Sequence, residues 1–272
     1  MKIDMMKAED LKQVVKEKYG SIASQSLLAA PQSCCGTGGC CGELEFSMIG
    51  DEYQQVAGYN KDADLGLGCG LPTEFAGIEP GNKVLDLGSG AGTDCFVARS
   101  LVGSEGKVTG IDFTDEMVQK ARQNLAKTEF QNMEFIQGDI ENMPLPDATY
   151  DVVISNCVLN LVPDKQQAFR EIYRVLKPGG HFCISDVVIT GTLPRPLQEA
   201  AELYAGCVAG AVPVDEYLNT IREQGFSQPE IKKQRKIEVP EPVLRQYLND
   251  QELAAYEASG AGIYSITVNA SK

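Results

Sequence analysis

From residue 83 onward, two kinds of hydrophobic pattern alternate along the chain. Short apolar runs, typical of buried strands, alternate with segments whose apolar residues recur every three or four positions, as in amphipathic helices. Alternating strands and helices predict a parallel sheet covered by helices on both faces. The predicted strands span residues 83–88, 107–112, 133–137, 150–156 and 181–188, and the predicted helices span residues 93–102, 165–176 and a segment that begins after Thr114.

The flanking segments extend this α/β, Rossmann-like, doubly wound and mostly parallel arrangement at both ends. Further helices are predicted within residues 4–30 and over residues 194–210, 214–224 and 241–258, and two late strands over residues 230–239 and 263–269. We expect the late strands to extend the sheet in the antiparallel direction. The chain then divides into an N-terminal helix with a cysteine-rich arm (1–70), the sheet domain (71–190) and a C-terminal region (191–272).

Residues 84–94 hold the clearest binding signal. Two apolar residues lead to Asp86, and three glycines follow at alternate positions, Gly88, Gly90 and Gly92. The pattern predicts a buried strand, a glycine turn and a helix start, where the backbone approaches a ligand closely and N–H groups point at it. The turn reads D-x-G-x-G-x-G rather than the G-x-G-x-x-G of dinucleotide folds. It resembles the first motif of class I S-adenosylmethionine (SAM) methyltransferases.

Polar residues follow the other predicted parallel strands, at the sheet edge where ligands collect in such folds. Asp112 suits both ribose hydroxyls of a nucleoside, although it also suits a helix cap. Asp139, followed by Ile140, suits an adenine amine, although an Asp after Gly also makes ordinary turns. Asn156 ends the fourth strand in the same cleft. Asp86 is expected either to orient the glycine turn or to meet the ammonium group of the cofactor.

Charge narrows the choice of partners. The 272 residues include 24 Lys and Arg against 38 Asp and Glu, a formal net charge of −14. Such a surface repels phosphate backbones and anionic membranes, so we expect neither nucleic acid nor a membrane as partner, whereas a cationic sulfonium is favoured. No apolar run reaches about 18 residues, and the N-terminus lacks the apolar core of a signal peptide. We expect a cytoplasmic protein.

The nine cysteines point to thiol chemistry. Their odd number, without a secretion signal, disfavours a disulfide framework, and the single histidine, His181, excludes a His-rich metal site. The glycine-rich residues 33–42 are consistent with a mobile thiol arm, a fixed metal site or an inert loop, and adjacent cysteines fit the usual zinc spacing poorly. The cysteines of this arm are Cys34, Cys35, Cys40 and Cys41.

Three other cysteines lie at positions that favour function. Cys69 is flanked by glycines, Cys157 follows the fourth predicted strand, and Cys207 lies among small residues of the C-terminal region. Each alone is commonly an apolar filler, but together with the arm they favour a thiolate site. Cys95 and Cys183 lie within apolar runs and are expected in the core.

The order of these features is specific. The arm, the glycine-flanked Cys69, the glycine turn, Cys157 in Ser-Asn-Cys-Val-Leu-Asn-Leu and Cys207 in Tyr-Ala-Gly-Cys resemble the arsenite methyltransferases over residues 33–210. The resemblance implies a class I methyltransferase fold with an arsenic site completed by the C-terminal region. It implies that Cys69, Cys157 and Cys207 hold trivalent arsenic, presented as arsenite or its thiol conjugate. The residues expected to contact SAM are Tyr59, Asp86, Gly88, Ser89, Gly90, Gly92, Asp112, Asp139, Ile140 and Asn156.

The resemblance also implies a redox cycle. An N-terminal cysteine takes part in it, with Cys41 our choice from the four in the arm and Cys40 the next. Disulfide formation would be followed by reduction by an external thiol, thioredoxin or glutathione. No metal cofactor is expected.

Two other functions stay open from the sequence. A generic small-molecule C- or O-methyltransferase would keep the sheet and the SAM turn and make the cysteines incidental. Its carbon or oxygen nucleophile usually needs a base, and His181 is predicted at a strand start away from the cleft, although carboxylates remain available. A soft-metal binding protein would use the arm alone, but the glycine turn and Asp112 argue against it.

Overall fold

The computed structural model describes residues 8–28, 53–194, 210–239 and 241–272. The predicted helix over residues 194–210 falls almost wholly outside the described residues. So do five of the predicted site cysteines, namely Cys34, Cys35, Cys40, Cys41 and Cys207.

Strands and helices alternate along the described chain from residue 83, as the sequence predicts. The strands are β1 (Lys83–Leu87), β2 (Lys107–Asp112), β3 (Met133–Gln137), β4 (Tyr150–Asn156), β5 (Leu176–Thr190), β6 (Ser227–Ile237) and β7 (Gly262–Ser271). The helices are α1 (Ala8–Leu28), α2 (Pro72–Phe75), α3 (Thr93–Val102), α4 (Asp115–Ala126), α5 (Lys165–Val175), α6 (Val214–Glu223), α7 (Glu241–Tyr247) and α8 (Asp250–Ser259). Short 3-10 turns span Tyr53–Gln55 and Leu159–Leu161.

The described strands form a seven-stranded sheet in the order β3-β2-β1-β4-β5-β7-β6. β1 to β5 run parallel to one another, and β7 lies antiparallel between β5 and β6. This confirms the predicted fold class, including the antiparallel late strands. The chain leaves β1 on one side through β2 and β3 and returns on the other side at β4. That change of direction is where doubly wound sheets open a ligand cleft.

The central strands are apolar on both faces because helices cover both. In β1, Leu85 and Leu87 point into a cluster that contains Phe169 of α5. Val84, which alternates with them, points into a second cluster that contains Phe96 of α3. The sheet therefore separates two cores and holds the ends of its strands in fixed positions.

The C-terminal region differs from the sequence prediction in one element. The segment predicted to be helical over residues 241–258 is helical, but the structure divides it into two helices, α7 and α8, with a break at residues 248–249. The Asn249 side chain accepts hydrogen bonds from the N–H groups of Gln251 and Glu252, and the Glu252 carboxylate accepts one from the N–H of Asn249. This capping box starts a new helix at this point.

The N-terminal helix α1 packs beside α4 and lies along the outer side of the sheet edge that carries the cleft. Val15, Gly20 and Ala23 are its buried residues among those whose side chains are described. Lys12 reaches the loop after β3, where its Nζ lies 2.6 Å from Asp139 Oδ2 and also pairs with Glu141. Among the described helices, none is both long and apolar enough to span a bilayer.

Candidate active site

A cleft opens at the carboxyl ends of β1 to β4, with α1 as its outer wall. Its empty space, including the part open to solvent, is about 890 Å³. It is lined by seven residues that the sequence singled out, namely Gly88, Gly90, Asp112, Asp139, Ile140, Asn156 and Cys157. The structure thus brings six of the ten predicted cofactor contacts and one predicted arsenic ligand to a single cleft.

The glycine turn is shaped by close contacts and by Asp112. Gly88 has a φ of +64°, and a Cβ there would lie 2.4 Å from Cγ2 of Val158, so only glycine fits. The Asp112 carboxylate accepts hydrogen bonds from the N–H of Gly90 at 3.0 Å and of Thr114 at 2.8 Å. Burial raises the pKa of Asp112, and these backbone donors oppose the shift. Asp112 therefore holds the glycine turn and also faces the cleft. Its contact with a ribose stays a prediction.

Asp139, which follows β3, forms an ion pair with Lys12 of α1. Asp139 accepts a hydrogen bond from the N–H of Glu141 through Oδ1 and pairs with Lys12 through Oδ2. Burial lowers the pKa of Lys12, but its hydrogen bonds and charge interactions with Asp139 and Glu141 outweigh that effect and raise it overall. The residue expected to meet the adenine amine is thus already paired with a cation, next to the buried Ile140.

Cys69 and Cys157 lie close together beside the cleft. They belong to one buried apolar cluster and are 1% and 6% exposed. Cys157 has a φ of +62°, a left-handed conformation that costs a side-chain-bearing residue about 1–2 kcal/mol. Its N–H donates to the carbonyl of Ser185 at 2.7 Å. A strained cysteine held at a strand end is typical of a functional position rather than of a core filler.

Asn156 joins the Cys69 segment to the end of β4. Its Oδ1 accepts hydrogen bonds from the N–H of Cys69 at 2.9 Å and of Gly70 at 3.3 Å. Its Nδ2 donates to the carbonyl of Gly70 at 2.8 Å and to the hydroxyl of Tyr53 at 2.7 Å. The Ser265 hydroxyl adds a bond to the Cys69 carbonyl. Because Asn156 and Cys157 are adjacent, this anchor fixes one cysteine relative to the other.

Two acids lie buried beneath the glycine turn. Burial raises the pKa of Asp94 to about 6, and hydrogen bonds from Tyr53 and Asn156 oppose the shift. Burial, followed by the charge of Asp94, raises the pKa of Asp86 well above its ordinary value. The thiol of Cys95 donates to Asp86 at 3.2 Å. Asp86 thus faces α3 from below the turn and not the cleft, which agrees with a role in orienting the turn.

Three other predicted cofactor contacts lie away from the cleft lining. The Tyr59 hydroxyl donates to Asp64 at 2.9 Å. Ser89 donates its N–H to the carbonyl of Ile111, and Gly92 forms the N-cap of α3. Their contact with a cofactor stays a prediction. Cys95 and Cys183, the two cysteines expected in the core, are fully buried.

Comparison with known proteins agrees with this geometry. A family model described as a methyltransferase domain matches residues 78–225. The arsenite methyltransferase of Aquipseudomonas alcaligenes is 33% identical over 243 residues, which cover 87% of this chain and 68% of that protein. This chain belongs to the arsenite methyltransferase family. Another family member, the arsenite methyltransferase of Halobacterium salinarum, is 46% identical over 235 residues, or 82% of this chain.

A solved structure of the family shares the fold. The arsenic(III) SAM methyltransferase of Chlamydomonas reinhardtii is 38% identical, with a TM-score of 0.65, over 76% of this chain and 68% of that one. The match to the H. salinarum protein covers 59% of its length. This family member therefore spans only part of the length of these relatives.

Several cleft residues of this arsenite methyltransferase family member escaped the sequence reasoning. Tyr53 and Asp94 hold Asn156 from behind the cleft lining, from a 3-10 turn and from the first turn of α3. Lys12 and Tyr19 line the cleft from α1, whose sequence predicts a helix but not the surface it covers. The other lining residues, which were not chosen as site residues although Gly138 was expected at the same sheet edge, are Val15, Leu67, Gly68, Phe113, Thr114, Met117, Gly138, Val158, Leu161, Val162 and Pro163.

Proposed function

We propose that this protein transfers the methyl group of SAM to trivalent arsenic held by the thiolates of Cys69, Cys157 and Cys207. The observation that carries the proposal is the joining of Cys69 to Cys157 by Asn156 at the edge of the cleft. Cys207 lies outside the described residues, but the chain resumes at Gly210 against the backbone of Asn160. The assignment of Cys207 to the arsenic site rests on the sequence alone.

The cleft fits SAM on three grounds. Gly88 has no side chain, so a ligand can approach the backbone of the turn closely. Asp112 offers a carboxylate to ribose hydroxyls. The net negative charge of the protein favours a positively charged sulfonium. Bound SAM supplies a methyl group on a positively charged sulfur. The residues proposed to hold it are Gly88, Gly90, Asp112, Asp139, Ile140 and Asn156, with Lys12 and Tyr19 closing the site from α1.

Thiolates are the natural ligands for this substrate. Trivalent arsenic is soft and prefers sulfur, as soft ions do in general. Three sulfurs leave one lone pair on arsenic, which is the nucleophile for the methyl group. Arsenic(III) has no proton to lose, so the reaction needs no general base. The protein contributes by holding the two reactants in line, which can supply about 7–11 kcal/mol of barrier reduction.

A redox step closes the proposed cycle. Donating its lone pair to the new As–C bond oxidises arsenic by two electrons. Two thiolates return those electrons when they join as a disulfide, and we propose that an arm cysteine, Cys41 or Cys40, takes part. Thioredoxin or glutathione then reduces the disulfide by thiol exchange. The arm lies outside the described residues, so the choice of cysteine rests on sequence alone.

The position of the histidine bears on the generic methyltransferase alternative. His181 lies in β5 opposite Val152, and its Nε2 is 2.6 Å from the carbonyl of Ala76. The cleft lies beyond Asn156, at the other end of the same pair of strands. An imidazole base is thus placed away from the cleft, which favours a substrate that needs no base.

The test is turnover by the purified protein with arsenite, SAM and a thiol reductant. We expect methylated arsenic and S-adenosylhomocysteine, and we expect Cys157→Ser and Cys69→Ser to lose activity on arsenite while keeping SAM affinity. Cys183→Ser is the matched control, because Cys183 is also buried, its thiol donates to the carbonyl of Pro72, and it does not line the cleft. No turnover by the wild type with any trivalent arsenical would exclude the proposal.

A further inference from the structure

Tyr53 lies between the Cys69 segment, residues 68–71, and the helix that begins at the glycine turn. It is 5% exposed, and it packs in one apolar cluster with Leu71 of that segment and with Val97 of α3. Its hydroxyl donates to the carboxylate of Asp94, 2.9 Å from Oδ1 and 3.0 Å from Oδ2. Asp94 belongs to the first turn of α3. Tyr53 therefore joins the segment to α3 by packing and by hydrogen bonding.

A chain of hydrogen bonds runs in one direction from Cys69 to this acid. The N–H of Cys69 donates to Oδ1 of Asn156 at 2.9 Å, and Nδ2 of Asn156 donates to the Tyr53 oxygen at 2.7 Å. The Tyr53 proton goes to Asp94, which is charged and closer than its other acceptor, the carbonyl of Gly70 at 3.2 Å. An ionised carboxylate only accepts hydrogen bonds. Asp94 thus orients the Tyr53 hydroxyl, which turns the carbonyl end of the Asn156 amide toward Cys69.

The backbone on both sides of Cys69 is packed closely against the sheet. A Cβ on Gly68 would lie 2.9 Å from Nδ2 of Asn156, and a Cβ on Gly70 would lie 2.6 Å from Oγ of Ser185. Real Cβ atoms do not approach other atoms so closely, so the segment lies directly on these two side chains. The position of Cys69 therefore follows that of Asn156.

The same helix carries the cofactor side of the cleft. Gly88 and Gly90 line the cleft, and Gly92 is the N-cap of α3, two residues before Asp94. Asp94 also accepts a hydrogen bond of 3.2 Å directly from Nδ2 of Asn156. The turn proposed to hold SAM and the segment that carries Cys69 are therefore joined through one buried acid and its partners.

Methyl transfer depends on the distance between the two reactants. As the arsenic lone pair forms the As–C bond, the S–C bond of SAM breaks and its electron pair stays on sulfur. No proton or further electron is exchanged. A misplacement of about 1 Å can slow such a step on the order of a hundredfold. SAM and arsenic are proposed to bind to different segments, so the connection between those segments sets their distance.

We infer that Tyr53 is a positioning residue, which holds the Cys69 segment against α3 and so sets the distance between arsenic and the methyl group of SAM. It does not line the cleft and acts through Asn156 and α3. Asp94 is its partner, because it orients the hydroxyl. The inference rests on the proposed function, since it takes Cys69 to be a ligand of arsenic.

The first test compares Tyr53→Phe, which keeps the ring, with the wild type in single-turnover methylation of arsenite. The assay is run at about pH 8, above the pKa of about 6 to which burial raises Asp94. We expect the rate constant to fall about tenfold, with the affinities for arsenite and S-adenosylhomocysteine within about twofold of wild type. Both affinities persist because Asn156 still holds Cys69 and the cleft lining is unchanged.

Tyr150→Phe is the matched control. Tyr150 is 4% exposed, but it begins β4 at the end of the strand away from the cleft. We expect this variant to methylate arsenite at the wild-type rate. Calorimetric titration with S-adenosylhomocysteine counts the folded sites in each sample, so that partial unfolding is not read as a slower reaction.

The second test needs neither arsenic nor turnover. Amide hydrogen exchange of peptides that cover residues 68–71 should be about threefold faster or more in Tyr53→Phe, with exchange in β3 unchanged. Thermal melting checks the fold. Asp94→Asn, which replaces the fixed acceptor by an amide that also donates, decides if Tyr53→Phe does not fold, and we expect it to slow methyl transfer as well.

An unchanged rate of methyl transfer in Tyr53→Phe would overturn the inference while leaving the proposed function in place. So would unchanged exchange of residues 68–71. A loss of rate matched by a loss of affinity for arsenite or S-adenosylhomocysteine would show that Tyr53 only maintains one of the two sites, and would also overturn it. Absence of arsenite methylation by the wild type would overturn the proposed function, and this inference with it.

Discussion

Cys157 shows how one residue can be kept in an unfavourable conformation by its neighbours. It follows β4 with a left-handed backbone, while its N–H is held by Ser185 and the preceding Asn156 is held by the Cys69 segment. The sequence predicted Cys157 at the cleft from its place after an apolar strand. It could not predict the backbone conformation, because that depends on contacts with β5 and with residues 69 and 70, which are distant in sequence.

Replacing Cys157 by glycine separates stability from function. Glycine adopts the left-handed conformation without steric cost, whereas alanine does not. We expect Cys157→Gly to be more stable than Cys157→Ala by about 1 kcal/mol in urea unfolding, with both inactive on arsenite and both able to bind SAM. Equal stability of the two variants would show that the backbone at this position is not strained.

The amide of Asn156 gives a second prediction at this scale. Removing it in Asn156→Ala leaves the N–H groups of Cys69 and Gly70 without their acceptor, at a cost of about 1–3 kcal/mol. The KM for arsenite should rise because the two cysteines are no longer held together. Asn132→Ala is the control, since the Asn132 amide likewise holds backbone groups in place, by donating to the carbonyls of Gly103 and Gly106, but does not line the cleft. A control that loses arsenite binding equally would refute the specific role of Asn156.

Among the elements, α1 shows the limit of sequence reasoning most clearly. Its helical spacing is visible in the sequence, and the structure has a helix over Ala8–Leu28. Its docking on the cleft was not foreseen, because the partner of Lys12 is more than a hundred residues away at Asp139. By contrast, β1 and β4 were predictable because continuous apolar runs imply burial on both faces. The break at Asn249 was missed because a helical pattern continues across it.

The contact between α1 and the loop after β3 predicts an effect on cofactor release. Lys12→Met removes the pairing with Asp139 and Glu141, and a partly exposed ion pair contributes about 0.2–1 kcal/mol. We expect SAM to dissociate about two- to fivefold faster in a stopped-flow displacement assay, because α1 is held less firmly over the cleft. Lys18→Met, an exposed position on the same helix, is the control. The same release rate in both variants would exclude α1 as the restraint.

For the whole molecule, the alternation of strands and helices was enough to predict the sheet and its cleft. It was enough because the topology of parallel βα units is restricted, and ligands collect where strand order reverses. Buried acids such as Asp94 and Asp186 were not predicted. Their burial follows from which faces of α6, β5 and the Tyr53 turn meet, and no local pattern in the sequence reports those contacts.

These buried acids predict how stability depends on pH. Burial raises the pKa of Asp186 to about 7 and of Asp94 to about 6, from an ordinary value of 3.8. The folded protein therefore binds more protons than the unfolded chain between pH 4 and 7, so its free energy of unfolding falls as pH rises through that range. Urea unfolding should show a smaller fall in Asp186→Asn. A slope identical to that of the wild type would contradict burial of an ionisable Asp186.

The most direct test of the account is the position of arsenic in crystals of the protein grown with arsenite and S-adenosylhomocysteine, located by anomalous diffraction at the arsenic edge. We expect one strong peak within bonding distance of the sulfurs of Cys69 and Cys157, beside the cleft, and its loss in Cys157→Ser. A peak bound only by other cysteines, or a peak at the predicted place that persists in Cys157→Ser, would contradict it.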